Sequence, residues 1–131
     1  MLVVDASVLY EVVTAGAAAE PLRRRFLDED LAAPHIVDVE VLGVIRREHL
    51  LGGLDSTAAA LALRDLQDWR GDRYDHRPLL GRAWELRHTV RGWDAMYVAL
   101  AESLDAPLLT SDSRLAAATG PTCAIEVLRI G

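Results

Sequence analysis

Lysine is absent from this chain of 131 residues, in which all fourteen basic residues are arginines. The absence disfavours a phosphoacceptor receiver domain, which gathers acids at strand ends but normally needs a lysine near its acyl phosphate. A haloacid-type phosphatase uses a nucleophilic aspartate and a second aspartate two residues later. This class is disfavoured too, because the residue two positions after Asp5 is Ser7. The net charge of −6 also argues against a protein that coats nucleic acid through general basicity.

Cysteine is scarce and long apolar runs are missing. Cys123 is the only cysteine, so no disulfide framework is possible and a reducing compartment is expected. The apolar run at residues 2–4 stops at Asp5 and has no basic region before it, unlike a secretory signal. No stretch approaches the length needed to span a bilayer. We therefore expect a cytoplasmic protein that does not interact with membranes.

Length and patterning favour a single domain over residues 1–131. Hydrophobic residues make up 51% of the chain and charged residues 26%, which supports a packed core and excludes a disordered composition. Strands are predicted at 2–4, 31–33, 73–77, 107–110 and 123–130. Helices are predicted from 7 and 20 onward and at 36–49, 55–69, 79–89, 93–103 and 113–118. This alternation predicts an α/β fold with a short, mainly parallel sheet covered on both faces. The tryptophans are expected to be core or interface anchors: Trp69, Trp84 and Trp93.

Four carboxylates interrupt or border the predicted core elements. Asp5 ends the first strand, Asp112 follows the fourth, and Asp94 opens the most apolar helix. Glu40 lies on the apolar face of its own helix and should point inward. Ligands of open α/β sheets bind beyond the carboxyl ends of the strands. Because a buried ionised carboxylate is costly unless it is paired or bound to metal, the four acids are predicted to share a cation.

Hard oxygen ligands of this kind suit Mg²⁺ or Mn²⁺. Such an ion activates water and stabilises attack on phosphorus, so the inferred chemistry is phosphodiester hydrolysis. Asp5, Asp94 and Asp112 would bind the metal, and Glu40 would complete the site or aid proton transfer. An alternative stays open, in which the acids are helix caps of a non-catalytic α/β protein-interaction domain. That alternative predicts no metal binding and tolerance of Glu40→Gln.

Four segments in order along the chain resemble the motifs of PIN-domain ribonucleases, and most closely those of the VapC toxins of type II toxin–antitoxin pairs. They are residues 3–7 (VVDAS), 39–42 (VEVL), 93–102 (WDAMYVALAE) and 109–115 (LTSDSRL). The resemblance implies an α/β/α sandwich and a catalytic set formed by Asp5, Glu40, Asp94 and Asp112. It also implies that Ser7 and Thr110 support those carboxylates.

The resemblance further implies a metal-dependent endoribonuclease that acts as a toxin on structured RNA, especially transfer or ribosomal RNA. A homodimer and a small antitoxin that blocks the cleft are the implied partners. Cleavage would leave a 5′-phosphate and a 3′-hydroxyl. Among the arginines, Arg46 and Arg47 share a helix with Glu40, and Arg82 and Arg87 flank the approach to Asp94, so these four are candidate RNA contacts.

Overall fold

A computed structural model describes residues 1–129, in which five parallel strands form one sheet flanked by helices. The strands are β1 (Leu2–Val4), β2 (Leu31–Pro34), β3 (Asp72–Tyr74), β4 (Leu108–Thr110) and β5 (Ile125–Val127). The helices are α1 (Ala6–Val13), α2 (Ala19–Arg25), α3 (Ile36–Leu50), α4 (Ser56–Gln67), α5 (Leu80–Glu85), α6 (Asp94–Ser103) and α7 (Ser113–Ala117), with a 3₁₀ turn at Arg77–Leu79 before α5. The predicted α/β/α sandwich around a short parallel sheet is confirmed.

The strand order β3-β2-β1-β4-β5 places β1 at the centre of the sheet. Val3 pairs with Ala32 of β2 on one side and with Leu108 of β4 on the other. The chain therefore winds outward from β1 in both directions, and the order reverses between β1 and β4. Such a reversal opens a crevice at the carboxyl ends of the two strands, where ligands of this fold class bind.

Alternate side chains of β1 enter two different hydrophobic cores. Leu2 and Val4 pack with Val8 and Leu22 from α1 and α2, whereas Val3 packs into the larger core on the other face. This alternation follows from the two-residue period of a strand. The larger core contains α6, whose residues 95–101 are all buried. Asp94 is thus the first residue of a helix that runs through the core, which fixes its position relative to the sheet.

The helix predicted at 79–89 is wrong in its extent. Regular α5 ends at Glu85, and the following segment turns back toward α6. Leu86 and Val90 are buried while the three residues between them are exposed, and Gly92 has a φ of +49°, which is outside the helical region. Beyond Glu85 the amides of Arg87 and Thr89 bond to carbonyls three residues earlier, at 3.2 and 3.0 Å, so this segment continues as turns and not as a regular α-helix.

Two further expectations need correction. Trp84 and Trp93 are 68% and 62% exposed, so neither is a core anchor and the prediction of an interface role stays open for both, whereas Trp69 is half-buried under the guanidinium of Arg73. The strand predicted at 123–130 covers only residues 125–127, and Ile130 lies outside the described residues.

Between residues 1 and 129, no helix combines the length and the apolar character needed to cross a membrane.

Candidate functional site

Asp5 connects the central strand to the first helix and is almost completely buried, with 7% of its surface exposed. Its side chain caps α1 by accepting a hydrogen bond from the Val8 amide at 3.2 Å. The Ser7 hydroxyl donates to Oδ1 at 2.6 Å, and the Thr110 hydroxyl donates to Oδ2. Burial raises the pKa of Asp5, and these hydrogen bonds only partly oppose the rise.

The same two hydroxyls also fix the loop that follows β4. The Ser7 oxygen accepts from the Ser111 amide at 3.2 Å, and the Thr110 oxygen accepts from the Asp112 amide at 3.1 Å. Each hydroxyl oxygen therefore accepts a hydrogen bond from a loop N–H, and each hydroxyl donates a hydrogen bond to Asp5. This arrangement ties the carboxyl end of β1 to that of β4 and sets where Asp112 lies.

Glu40 projects from α3 toward α6, where it meets a residue that the sequence argument did not identify as functional. The buried hydroxyl of Tyr97 donates to Glu40 Oε1 at 2.7 Å. Burial raises the pKa of Glu40, and the negative charges of Asp94 and Asp5 raise it further against the opposing effect of the Tyr97 bond. The spacing of Tyr97 three residues after Asp94 on one helix face was the available signal for its role.

Asp94 and Asp112 approach the cleft from the starts of α6 and α7. Burial raises the pKa of Asp94, and the charges of Asp5 and Asp112 add to that rise. Asp112 differs, because its Oδ1 accepts from the Arg114 amide at 2.9 Å and from the Arg114 guanidinium at 3.3 Å. These contacts outweigh the effect of burial and hold the pKa of Asp112 below its ordinary value.

The four acids line one cleft of about 420 Å³, together with Ser7, Tyr97 and Arg47. Within the described part of the chain, no arginine or histidine forms an ion pair with Asp5, Glu40 or Asp94. Asp5 is buried and Glu40 and Asp94 are half-buried, so three carboxylates that repel one another and form no ion pair create a local deficit of positive charge. The deficit is the electrostatic condition that a divalent cation would relieve.

The donor chemistry of the cleft fits Mg²⁺ or Mn²⁺, although the side chains of residues 1–129 do not already form a closed group of three metal ligands. Mg²⁺ commonly binds through one or two carboxylates and keeps several waters, so a closed group is not required. Asp94 makes no capping bond with its side chain, which leaves its oxygens available. The residues therefore fit a partly hydrated divalent ion.

The arginines proposed as RNA contacts occupy different surroundings. Arg47 lines the cleft, and Arg87 lines a second pocket. Asp94 and Asp112 line both the cleft and this second pocket. Arg46 lies on the exposed surface of α3 and is not part of the cleft wall. Arg82 is directed elsewhere, because its guanidinium binds Glu102 at 2.7 and 3.2 Å and the Gly120 carbonyl at 2.9 Å. The structure thus brings the acids together with Arg47 and Arg87 nearby, and holds Arg82 apart.

Comparison with known proteins agrees with this geometry. Residues 2–121 match the family model of the PIN domain. Ribonuclease VapC1 of Mycobacterium tuberculosis is 43% identical over 129 residues, covering 97% of each chain. The crystal structure of PAE2754 from Pyrobaculum aerophilum has a TM-score of 0.69 and 29% identity, covering 96% of this chain and 83% of that one.

A second solved structure, VapBC2 from Rickettsia felis bound to a DNA fragment from its promoter, has a TM-score of 0.71 and covers 98% of both chains. At 12% identity it supports the fold alone. The family match and the VapC1 relative each extend over nearly the whole chain. This chain therefore belongs to the PIN domain family, among the relatives of the VapC ribonucleases.

Proposed function

We propose that this chain is a metal-dependent endoribonuclease and the toxin of a toxin–antitoxin pair. The observation that carries the proposal is the convergence of Asp5, Glu40, Asp94 and Asp112 on one cleft, in which the first three form no ion pair within residues 1–129. Membership of the PIN domain family and the relative named ribonuclease VapC1 support the same activity. The four carboxylates supply the charge that a nuclease of this kind needs.

Each acid has a distinct part in the proposed reaction. Asp5, Asp94 and Asp112 would hold a divalent ion, Mg²⁺ or Mn²⁺, which when bound would make water a stronger nucleophile and neutralise negative charge on the phosphate oxygens. Ser7 and Thr110 keep Asp5 oriented through its two oxygens. Glu40, whose raised pKa brings its titration closer to neutrality, would accept or relay a proton, with Tyr97 fixing its carboxyl group.

We further propose that the substrate is structured RNA, transfer or ribosomal, and that cutting it inhibits translation. The products would carry a 5′-phosphate and a 3′-hydroxyl. These points rest on the resemblance of the four motifs to those of VapC toxins. A cognate antitoxin and a homodimer complete the proposal, and they rest on the same resemblance. Light scattering on the purified chain would refute the homodimer if it gave a monomer mass at all accessible concentrations.

The decisive experiment is cleavage of total cellular RNA by purified protein, with Mg²⁺, with Mn²⁺ and with EDTA. We expect cuts at discrete sites that depend on metal and disappear in Asp94→Asn. Asp94 makes no capping bond, so this variant should keep its helix; because burial and neighbouring acids raise the Asp94 pKa, its unfolding midpoint should be no lower than that of wild type. Asp105→Asn, at an exposed aspartate after α6, is the matched control and should cleave normally. Metal-independent cleavage, or full activity in Asp94→Asn, would overturn the assignment.

A non-catalytic interaction domain whose acids are helix caps is the second candidate, and two observations favour part of it. Asp5 caps α1 and Asp112 caps α7. Asp94 and Glu40, however, make no capping bond in α6 or α3. Capping therefore accounts for two of the acids only, and it leaves the cost of burying the other two unexplained.

A further inference from the structure

A second pocket, which we call the arginine pocket, adjoins the acidic cleft. It has a volume of about 210 Å³, and its walls include Arg87, Arg91 and Arg114. Asp94 and Asp112 line both this pocket and the cleft, so the two cavities meet at these carboxylates. Positive charge thus lies directly beside the proposed catalytic acids, on the side formed by the α5–α6 connection and the start of α7.

The guanidinium groups of this pocket have unused hydrogen-bonding capacity. Arg114 uses its Nε toward Asp112, and both of its terminal nitrogens lack a partner among the described residues. Arg91 forms no ion pair or side-chain hydrogen bond within residues 1–129, and both side chains are exposed. Two guanidinium forks with free donors facing one pocket can bind a single tetrahedral anion from two directions.

Arg87 contributes a fixed wall to the same pocket. Its guanidinium carbon lies 4.3 Å from the centre of the Trp84 ring, and its Nη1 donates to the Trp84 carbonyl at 2.9 Å. Cation–π stacking and this hydrogen bond restrict the side chain without cancelling its charge. The pocket therefore combines one restrained arginine with two that can adapt to a ligand.

The surrounding charge explains why an RNA nuclease needs this pocket. A chain of net charge −6, with four carboxylates in its cleft, repels the RNA backbone until positive charge offsets it. Burial raises the pKa of Asp94, and the charges of Arg91 and Arg114 partly oppose that rise, so both arginines act electrostatically on the cleft. A phosphate in the arginine pocket would lie beside the acids, because the two cavities share Asp94 and Asp112.

We propose that Arg91 and Arg114 form a binding subsite for an RNA backbone phosphate adjacent to the acidic cleft, with Arg87 as its fixed wall. This inference rests on the proposed ribonuclease function. It adds a positioning role for residues outside the carboxylate set, because the subsite would hold the strand while the acids act on the neighbouring linkage. Backbone contacts of this kind fix register without reading base sequence.

The test measures binding separately from cleavage. A short, fluorescein-labelled single-stranded RNA of random sequence is titrated in EDTA at several salt concentrations, and its anisotropy is followed. Arg91→Gln/Arg114→Gln should bind about tenfold more weakly than wild type, because the variant cannot form the hydrogen bonds that a guanidinium makes to a charged phosphate. The slope of log affinity against log salt should also shrink by about 0.7 for each phosphate that the variant no longer neutralises.

A matched control removes the same charge elsewhere. Arg23→Gln/Arg24→Gln alters two exposed arginines of α2, at the end of the helix that leads into the amino end of β2, opposite the cleft. This variant should keep the wild-type slope. Arg91→Lys/Arg114→Lys, which retains charge but loses the forked geometry, should keep most of the slope and lose part of the affinity. Equal weakening of binding in both glutamine variants would overturn the subsite in favour of a net-charge effect.

Cleavage of the total RNA substrate separates the two proposals. Arg91→Gln, which leaves the contact between Arg114 and Asp112 intact, should raise KM severalfold and leave the rate at saturating RNA nearly unchanged, because ground state and transition state both occupy the subsite. If wild type cleaves RNA and the Arg91→Gln/Arg114→Gln variant binds and cleaves like it, the subsite is refuted and the ribonuclease stands. If wild type binds through the arginine pair but never cleaves, the ribonuclease fails and the subsite stands.

Discussion

Thr110→Val is the perturbation that best tests the hydroxyl network beneath the cleft. Valine keeps the shape of threonine, and Thr110 is completely buried, so the change removes one hydroxyl and little else. Two bonds disappear with it, one to Asp5 Oδ2 and one from the Asp112 amide. Losing a bond to a buried carboxylate costs roughly 1.5–3 kcal/mol, and the partly shielded amide adds up to about 1 kcal/mol.

The expected loss of unfolding free energy is therefore about 2–4 kcal/mol, or a urea midpoint lower by about 1–2 M. Urea unfolding in EDTA, followed by circular dichroism, measures it without metal. Thr89→Val is the matched control, because the exposed Thr89 hydroxyl has only a long contact of 3.5 Å to the Leu86 carbonyl. The control should shift the midpoint by about a tenth to a quarter as much.

The pH dependence gives this prediction its sign. The Thr110 bond lowers the pKa of Asp5, whose net shift is upward because of burial. In the valine variant the pKa rises further, so the folded variant takes up a proton at a higher pH than wild type does. The stability gap should widen as pH rises through the raised pKa and close as pH falls toward the ordinary value of 3.8. A gap that is independent of pH, or as large in Thr89→Val, would refute the network.

Two other predictions concern Glu40 and Arg82. Glu40→Gln should stabilise the metal-free protein at neutral pH, because burial and neighbouring acids raise the Glu40 pKa and so disfavour its charged form. This gain in stability should shrink as pH falls toward 4.5, where the carboxyl group of the folded wild type is protonated. Thermal unfolding in EDTA measures the gain. The same variant should gain less melting temperature than wild type on adding Mn²⁺. Arg82→Gln should lower the unfolding free energy by about 1–3 kcal/mol, because it removes the ion-pair partner of the largely buried Glu102. RNA binding in the anisotropy assay should be unchanged. Weakened RNA binding in Arg82→Gln would restore Arg82 as an RNA contact.

Local patterns were enough to locate the acids but not to describe their surroundings. Asp5 and Asp112 follow short apolar strands, and Glu40 interrupts an apolar helix face, so each position could be inferred from periodicity and the fold rule for parallel sheets. The contact between Tyr97 and Glu40 joins residues far apart in sequence and depends on how α3 packs against α6. No periodicity in one element carries that information.

The contacts of the arginines also could not be predicted from their positions in the sequence. Sequence proximity grouped Arg82 with Arg87 near Asp94, but Arg82 reaches Glu102 near the far end of α6. Arg114, two residues after Asp112, received no role, although its backbone and guanidinium both bind that carboxylate. The long, flexible side chain of an arginine can reach partners in several directions, so spacing along the chain predicts its contacts poorly.

The hydroxyl bond between Thr110 and Asp5 joins positions 105 residues apart. During synthesis Asp5 leaves the ribosome well before Thr110 and Asp112. A growing chain therefore carries an unfinished carboxylate set until β4 has docked beside β1. If the chain is the ribonuclease proposed above, prematurely terminated products that lack β4 should be inactive, and cleavage begins only after β4 and Asp112 have been synthesised.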